Sequence, residues 1–413
     1  MEITVNNARE FILGTIALAG EVPRPVSFPG INQGTAYNTL AAMKKDKVVK
    51  YGAGNKKSGN GDVIRLVSPG GLKELKTMNT LLWDHYKLMT NGHKFQSGGN
   101  QTVRYKEHGL TACFMQKCGA NIDNITLRYV PNIFGRNSEN DPSSVVYGAL
   151  GSGLFGRSFQ SYDQMNNGRP DIDSMTVELP LDGRFFYTSK AIKASSRGGP
   201  HDHLARYTGI YLSGGNSYMV YGVSGENRST SSETERRASA LADSIHRNAY
   251  GSRSLINQEN KHRTSQAIVI IDDPDLLWGI LKQQPSRYFS LNFVYDDYYV
   301  IRPDETGVDI IDILSTPGWE SKVSASLFGD RRGFGDGILN GLPAWEMITC
   351  NMGKAREIKK HRSEMQKEGF YLLCHEWQIP YFRKAFSAMR MTPVVLNEEE
   401  VRAVRNVVVS GGG

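Results

Sequence analysis

The chain has 413 residues, of which 39% are hydrophobic and 22% charged, with a formal net charge of +7 and a sequence pI near 9.0. That length accommodates two or three domains with real cores, and the composition is too apolar for wholesale disorder. No apolar run approaches the ~18 residues of a membrane span, and the opening MEITVNNARE has no basic stretch ahead of an apolar core, so a cytoplasmic protein without a membrane partner is expected.

In chain order, the first predicted helix begins after Asn7, with Glu10 completing a capping-box-like start, and Gly20 ends it. Pro23, Pro25 and Pro29 crowd the next segment, so a second helix there is short, around Val26 to Phe28, or irregular. A third helix starts after Ile31. Its Ala36, Leu40 and Met43 share one buried stripe, while Gly34, Asn38, Ala41 and Lys45 lie opposite. Two β-prone runs follow, Val48 to Tyr51 and Asp62 to Leu66, joined by a glycine-rich tip that carries Lys56 and Lys57. Ser68-Pro69 reads as an N-cap with proline at the first helical position, and the helix behind it is expected to run through Leu82 and Tyr86 to about Met89.

Charge gives this unit its expected purpose. Between Asn32 and Lys76, nine cations face three acids, a net of +6 in a chain of +7. A helix slim enough for a major groove, followed by a basic hairpin able to lie along phosphates, is the footprint of a winged helix-turn-helix on double-stranded DNA. Gln33, Thr35, Tyr37 and Asn38 occupy the first turns of the expected recognition helix, where Gln and Asn can bond adenine edges in two places at once. The wing lysines, Lys50, Lys56 and Lys57, are assigned to phosphate, and Lys44, Lys45 and Arg65 complete the expected DNA-binding set. The alternative is a structural winged helix whose lysines solvate it or dock protein.

Beyond it, a helix is expected from Asn100 to Cys118, loops over 135–171, and short strands at 175–179, 184–188, 207–212 and 217–222, the last two forming a hairpin. A helix from Glu233 to Arg247 precedes a buried strand at 267–271 and a helix at 275–282. Further expectations are a hairpin over 288–301, a strand at 308–314, a helix at 319–328, a loop over 329–341 and a strand at 344–349. A basic helix at 354–367, a strand at 370–374, a helix at 379–389 and a frayed tail complete the chain. The fold class is therefore α+β or mixed α/β. The predicted domains are a winged helix at 1–94, an α/β domain with loop-rich insertions at 95–260 and a mixed α/β domain at 261–413.

Three patterns hint at catalysis. Asp182 precedes Ala191-Ile192-Lys193 by the interval at which paired-acid nucleases place Glu-x-Lys, but the Glu position is Ala191, which should cripple Mg²⁺ binding. His201 and His203 could share one metal on an extended strand with Tyr295, Tyr298 or Tyr299 as nucleophile, although Pro200 and its glycine-rich approach favour a loop. Cys374-His375-Glu376 sits at a strand end without an identified partner acid or base. Cys113 and Cys118 could supply two zinc ligands, but no second pair stands at a zinc-ribbon spacing, so buried thiols are expected and no metal or cofactor is called for.

The segments TAYNTLAAMKKDKVVKY and DVIRLVSPGG resemble the winged-helix N-terminus of replication-relaxation proteins of bacterial plasmids and integrative elements. The match covers about the first quarter of the chain. FFYTSKAIK and ARYTGIYLSGGNSYMVYGV are similar to the second part of such proteins. The resemblance implies action at a plasmid or transfer origin, with replication or transfer proteins as partners. The larger α/β region is read as oligomerising the chain or recruiting those partners. A transcriptional regulator is the near alternative, and a nuclease or relaxase the alternative of another class.

Overall fold

The computed structural model describes residues 8–23, 28, 31–52, 63–67, 69–80, 82–83, 86, 99–123, 180–189, 206–223, single positions within 235–250, and 266–282, 291–329 and 334–411. The fold is mixed α/β. A six-stranded sheet is its centre, in the order β4 (Asn121–Ile122), β5 (Arg184–Thr188), β6 (Gly209–Ser213), β7 (Asn216–Val223), β8 (Gln266–Ile271) and β9 (Tyr298–Ile301). β5, β6 and β7 form an antiparallel meander, and β7, β8 and β9 run parallel. Gly214 and Gly215, both at positive φ, close the β6–β7 hairpin with the primed-turn twist that neighbouring strands need.

Alternation along these strands divides the molecule into two cores. Tyr218, Val220, Ile268, Ile270, Tyr299 and Ile301 point into one, while Met219, Tyr221, Val269, Ile271, Tyr298 and Val300 point into the other. Every residue of β8 is buried, as a parallel strand covered on both faces must be.

The first core receives the N-terminal unit: α1 (Ala8–Ala19), β1 (Val22–Pro23), α2 (Gln33–Lys45), β2 (Val49–Gly52), β3 (Val63–Leu66) and α3 (Gly70–Met78). β1, β3 and β2 form a small antiparallel sheet in that order. Ile12, Leu13 and Ile16 of α1 belong to the same cluster as Ala36, Leu40 and Met43 of α2, and α4 (Gly99–Lys117) packs on β1, α1 and β7. Buried side chains are thus continuous across the predicted boundary at residue 94. α6 (Glu305–Leu314), α7 (Trp319–Phe328) and α11 (Glu398–Ser410) complete this side. Asp312 ties them together by accepting ion pairs from Arg184 of β5 and from Arg405 of α11.

The second core lies under α5 (Leu276–Leu281), α8 (Met352–Lys360), α9 (Arg362–Lys367) and α10 (Ile379–Ala385), with helical residues Glu235, Ala238, Ala242, His246 and Tyr250. A second sheet, β10 (Gly337–Leu339), β11 (Leu342–Glu346), β12 (Phe370–Cys374) and β13 (Met391–Val395), adds Trp345, Phe370 and Leu372 to it.

Several expectations are corrected. The predicted strand at 308–314 is the helix α6, started by Asp304, whose carboxylate accepts the Gly307 amide at 2.9 Å. Ile310, Ile311, Ile313 and Leu314 are spaced for one helical face. In place of a hairpin over 288–301, a short 3₁₀ turn at Leu291–Phe293 leads into β9, which pairs parallel to β8. The helix after Pro69 does not run on from Met78: Asn79 is extended, and its side chain caps Leu82 at 3.0 Å. Pro69 itself, without a side-chain cap, precedes that helix, and Ser68 lies outside the described residues. Phe28 is not helical, Val22–Pro23 is a strand, and Val26 lies outside the described residues. The basic helix divides at His361, β10 occupies part of the predicted loop, and β13 and α11 precede the glycine tail, of which 412–413 lie outside the described residues.

Candidate nucleic-acid interface

α2 is set by its two ends. Asn32 caps the start, its side-chain oxygen accepting the Thr35 amide at 2.8 Å. At the other end the Val48 amide reaches the Met43 carbonyl at 2.9 Å and the Lys47 amide reaches Lys44 at 3.1 Å, a Schellman closure. Its left-handed residue is Lys47, φ 57°, where glycine is the usual occupant. Ala36, Leu40 and Met43 are buried. Gln33, Thr35, Tyr37, Asn38, Ala41, Lys44 and Lys45 are exposed, Tyr37 at 65%. The structure therefore brings Gln33, Thr35, Tyr37, Asn38, Lys44 and Lys45 onto one helix surface, with Lys50 exposed on the adjoining β2.

Ion pairing sharpens the charge. Arg9 of α1 bonds Asp46 at 2.8 Å and Glu74 at 2.7 Å, so two of the unit's acids are consumed internally. Lys44, Lys45, Lys47, Lys50, Lys73 and Lys76 are exposed, and among the described residues none of them has a carboxylate within ion-pair distance. Lys44 lies 4.5 Å over the Tyr51 ring and Lys76 4.7 Å over Trp83, which holds their stems without neutralising them.

One residue of the expected DNA-binding set is buried. Arg65 is 5% exposed; it lies 5.6 Å over the Tyr105 ring and packs against Gly52, so it is part of the interior. Lys56 and Lys57 lie outside the described residues.

Of the catalytic patterns suggested by the sequence, only parts lie among the described residues. Asp182 is an exposed turn residue ahead of β5, while Ala191, Lys193, His201 and His203 lie outside the described residues. Tyr295, Tyr298 and Tyr299 are buried. Tyr298 donates to Asn292 at 2.6 Å, the Tyr295 hydroxyl is 2.8 Å from that of Tyr221, and burial drives the Tyr299 phenol well above its ordinary range. None of the three is a nucleophile in reach of a ligand. His375 donates to the Ile348 carbonyl at 2.9 Å, its backbone amide bonds Gln378, and burial lowers its pKa. Burial pushes the Cys374 thiol up to about 12, so this pair shapes a strand end. All four cysteines are free and buried.

Sequence reasoning missed a second constellation. Asp336, Lys354 and Glu346 meet beside a polar cleft of about 680 Å³ that Asp297, Glu320 and Asn351 also line. Lys354 donates to Asp336 at 2.8 Å and to the fully buried Glu346 at 2.6 Å. The Glu346 amide donates to Asp336 at 2.9 Å, and the Thr349 hydroxyl donates to Glu346 at 2.9 Å. Among the described residues no group of three or more His, Cys, Asp or Glu is arranged to hold a metal ion. The available signal was an Asp, Glu and Lys in order at 336, 346 and 354, around a strand.

No family model, no curated protein and no solved structure matches this chain. Among the described residues no helix is long and apolar enough to cross a membrane.

Proposed function

We propose that this chain binds double-stranded DNA through the outer face of α2, with α1, α2 and the β1–β3–β2 sheet serving as a winged helix-turn-helix. The supporting observation is the run of four exposed lysines at the end of α2 and on the adjoining β2, Lys44, Lys45, Lys47 and Lys50, none with a carboxylate partner among the described residues. Such a field attracts a polyanion, and a helix about 10–12 Å across matches the major groove. Action in replication, relaxation or transfer of a plasmid or integrative element, with the partner proteins this entails, rests on the sequence resemblance, as a regulatory role does.

The test is fluorescence anisotropy on random-sequence duplexes across a salt series. Replacing Lys44, Lys45 and Lys50 with Gln should reduce the slope of log K against log salt by about 0.9 for each phosphate that the variant leaves unneutralised. Joint neutralisation of Lys45, Lys56 and Lys57 should likewise weaken binding at moderate salt. Unchanged affinity in both would end the proposal. A DNA-processing enzyme is the alternative of another class: Mg²⁺-dependent cleavage by the purified protein would establish it, and its absence would remove it.

A further inference from the structure

The outward centre of α2 is composed differently from its flanks. Gly34, Asn38, Ala41 and Lys45 lie opposite the buried Ala36, Leu40 and Met43, and all four are exposed. Two of them, Gly34 and Ala41, are too small to hold a groove floor away from the helix backbone. Between them stands one side chain, Asn38, with a donor and an acceptor side by side. Gln33, Tyr37 and Lys44 occupy one flank and Thr35 and Ala42 the other.

Resting on the duplex-binding reading, we infer that α2 selects an A·T-containing step, with Asn38 bonded to adenine N6 and N7 and the Ala41 methyl set against the C5-methyl of a thymine. The chemistry follows from what a major groove displays. Adenine alone offers an adjacent donor and acceptor that an amide matches in two bonds, and thymine alone offers a methyl group. Asn38 and Ala41 are three residues apart on a helix, so their Cβ atoms stand about 5–6 Å apart, within reach of one base pair and its neighbour. Lysine in place of Asn38 would read guanine instead; Lys45, on the same face, stands in the last turn of α2 and Lys50 on β2, positions suited to phosphate. Tyr37, on the flank, reaches sugar or phosphate through its hydroxyl.

The experiment is selection of bound duplexes from a random-sequence library with the full-length protein, followed by anisotropy on the enriched duplex. Three probes are compared: the duplex itself, the same duplex with uracil at each thymine, and one with 7-deazaadenine at each adenine. The expected result is enrichment of an A·T step, a loss of about fourfold with uracil from one unburied methyl, and about tenfold or more with deazaadenine. Asn38→Ala should flatten the adenine preference while leaving the salt slope intact; Asn38 is exposed, so the variant folds. Salt-dependent binding with no enriched step, or with uracil and deazaadenine both without effect, overturns this inference and leaves the duplex-binding reading standing. Retention of no duplex at low salt overturns both.

Discussion

Removing Lys354 tests the energetics of the buried triad directly. Its side chain is 15% exposed and bridges Asp336, 17% exposed, and Glu346, 1% exposed. Lys354→Met keeps the aliphatic stem and deletes the charge, so Glu346 is left as an uncompensated anion in the interior. Breaking such a pair costs about 3–5 kcal/mol, and the lower end applies because the Asp336 side faces the cleft. Glu346 already sits above the ordinary carboxylate range because of burial, and Lys354 is what opposes that rise. A carboxyl whose folded pKa exceeds its unfolded one binds protons more readily when folded, so its contribution to stability falls as pH rises between the two values. Without Lys354 that window widens upward. The penalty should therefore be larger at pH 7 than at pH 5, shrinking in the direction in which Glu346 gains its proton. Lys354, raised by the same two carboxylates, stays charged through this range and adds no slope. The assay is urea unfolding at both pH values, read by fluorescence and circular dichroism with coincident transitions required. Glu346→Gln combined with Lys354→Met should recover stability to within about 1 kcal/mol of the parent. A penalty under about 1 kcal/mol at both pH values, or one that grows on acidification, would refute the reasoning.

Other outcomes follow from single interactions. Lys47→Gly should raise stability by about 0.5–1 kcal/mol, because the left-handed residue of the α2 closure no longer carries a Cβ, yet weaken duplex binding by removing a cation; thermal melts and anisotropy read the two effects. Arg65→Ala should lower stability by about 1–3 kcal/mol through removal of the Tyr105 stacking and the space left under Gly52, and leave the salt slope unchanged, which separates an interior arginine from a phosphate ligand. Asp312→Asn should cost about 2–3 kcal/mol, since both Arg184 and Arg405 lose their counter-ion, and hydrogen exchange should rise first in α11.

Local signals were readable where a residue fixes its own backbone. The α7 helix came out with its predicted ends because Gly318 and Gly329, both at positive φ, bracket it. α2 was legible for a similar reason: Asn32 caps it and three apolar residues share a face. What failed depended on distant partners. A run such as VDIIDIL satisfies a strand pattern and a helical one equally, and the cap supplied by Asp304 decided between them. MTPVV reads poorly as a strand because Pro393 lacks an amide hydrogen, yet β13 sits at the sheet edge, paired only to β12. Arg65 is the one charged residue of an apolar strand and reads as surface, but the ring it stacks on arrives from α4, 40 residues later. The Asp336–Glu346–Lys354 triad required the turn between β11 and α8 to fold a lysine back over a strand end, a geometry that spacing alone does not encode.

The same long-range packing explains why the basic face can be a rigid reader. α2 rests through Leu40 and Met43 on a cluster that includes Ile12 and Ile16 of α1; α1 packs on α4, and α4 packs on β7 of the central sheet. Arg9 adds a second tie, holding the end of α2 and the middle of α3 through Asp46 and Glu74. On the proposed duplex binding, a helix mounted in this way would lose little conformational entropy on entering a groove, so that interactions at Asn38 and Ala41 would be expressed as affinity differences instead of being absorbed by ordering. Loosening the mount should blur sequence preference before it abolishes binding: Arg9→Gln, which leaves every α2 face residue in place, should reduce discrimination between the enriched duplex and its uracil form more than it changes the salt slope.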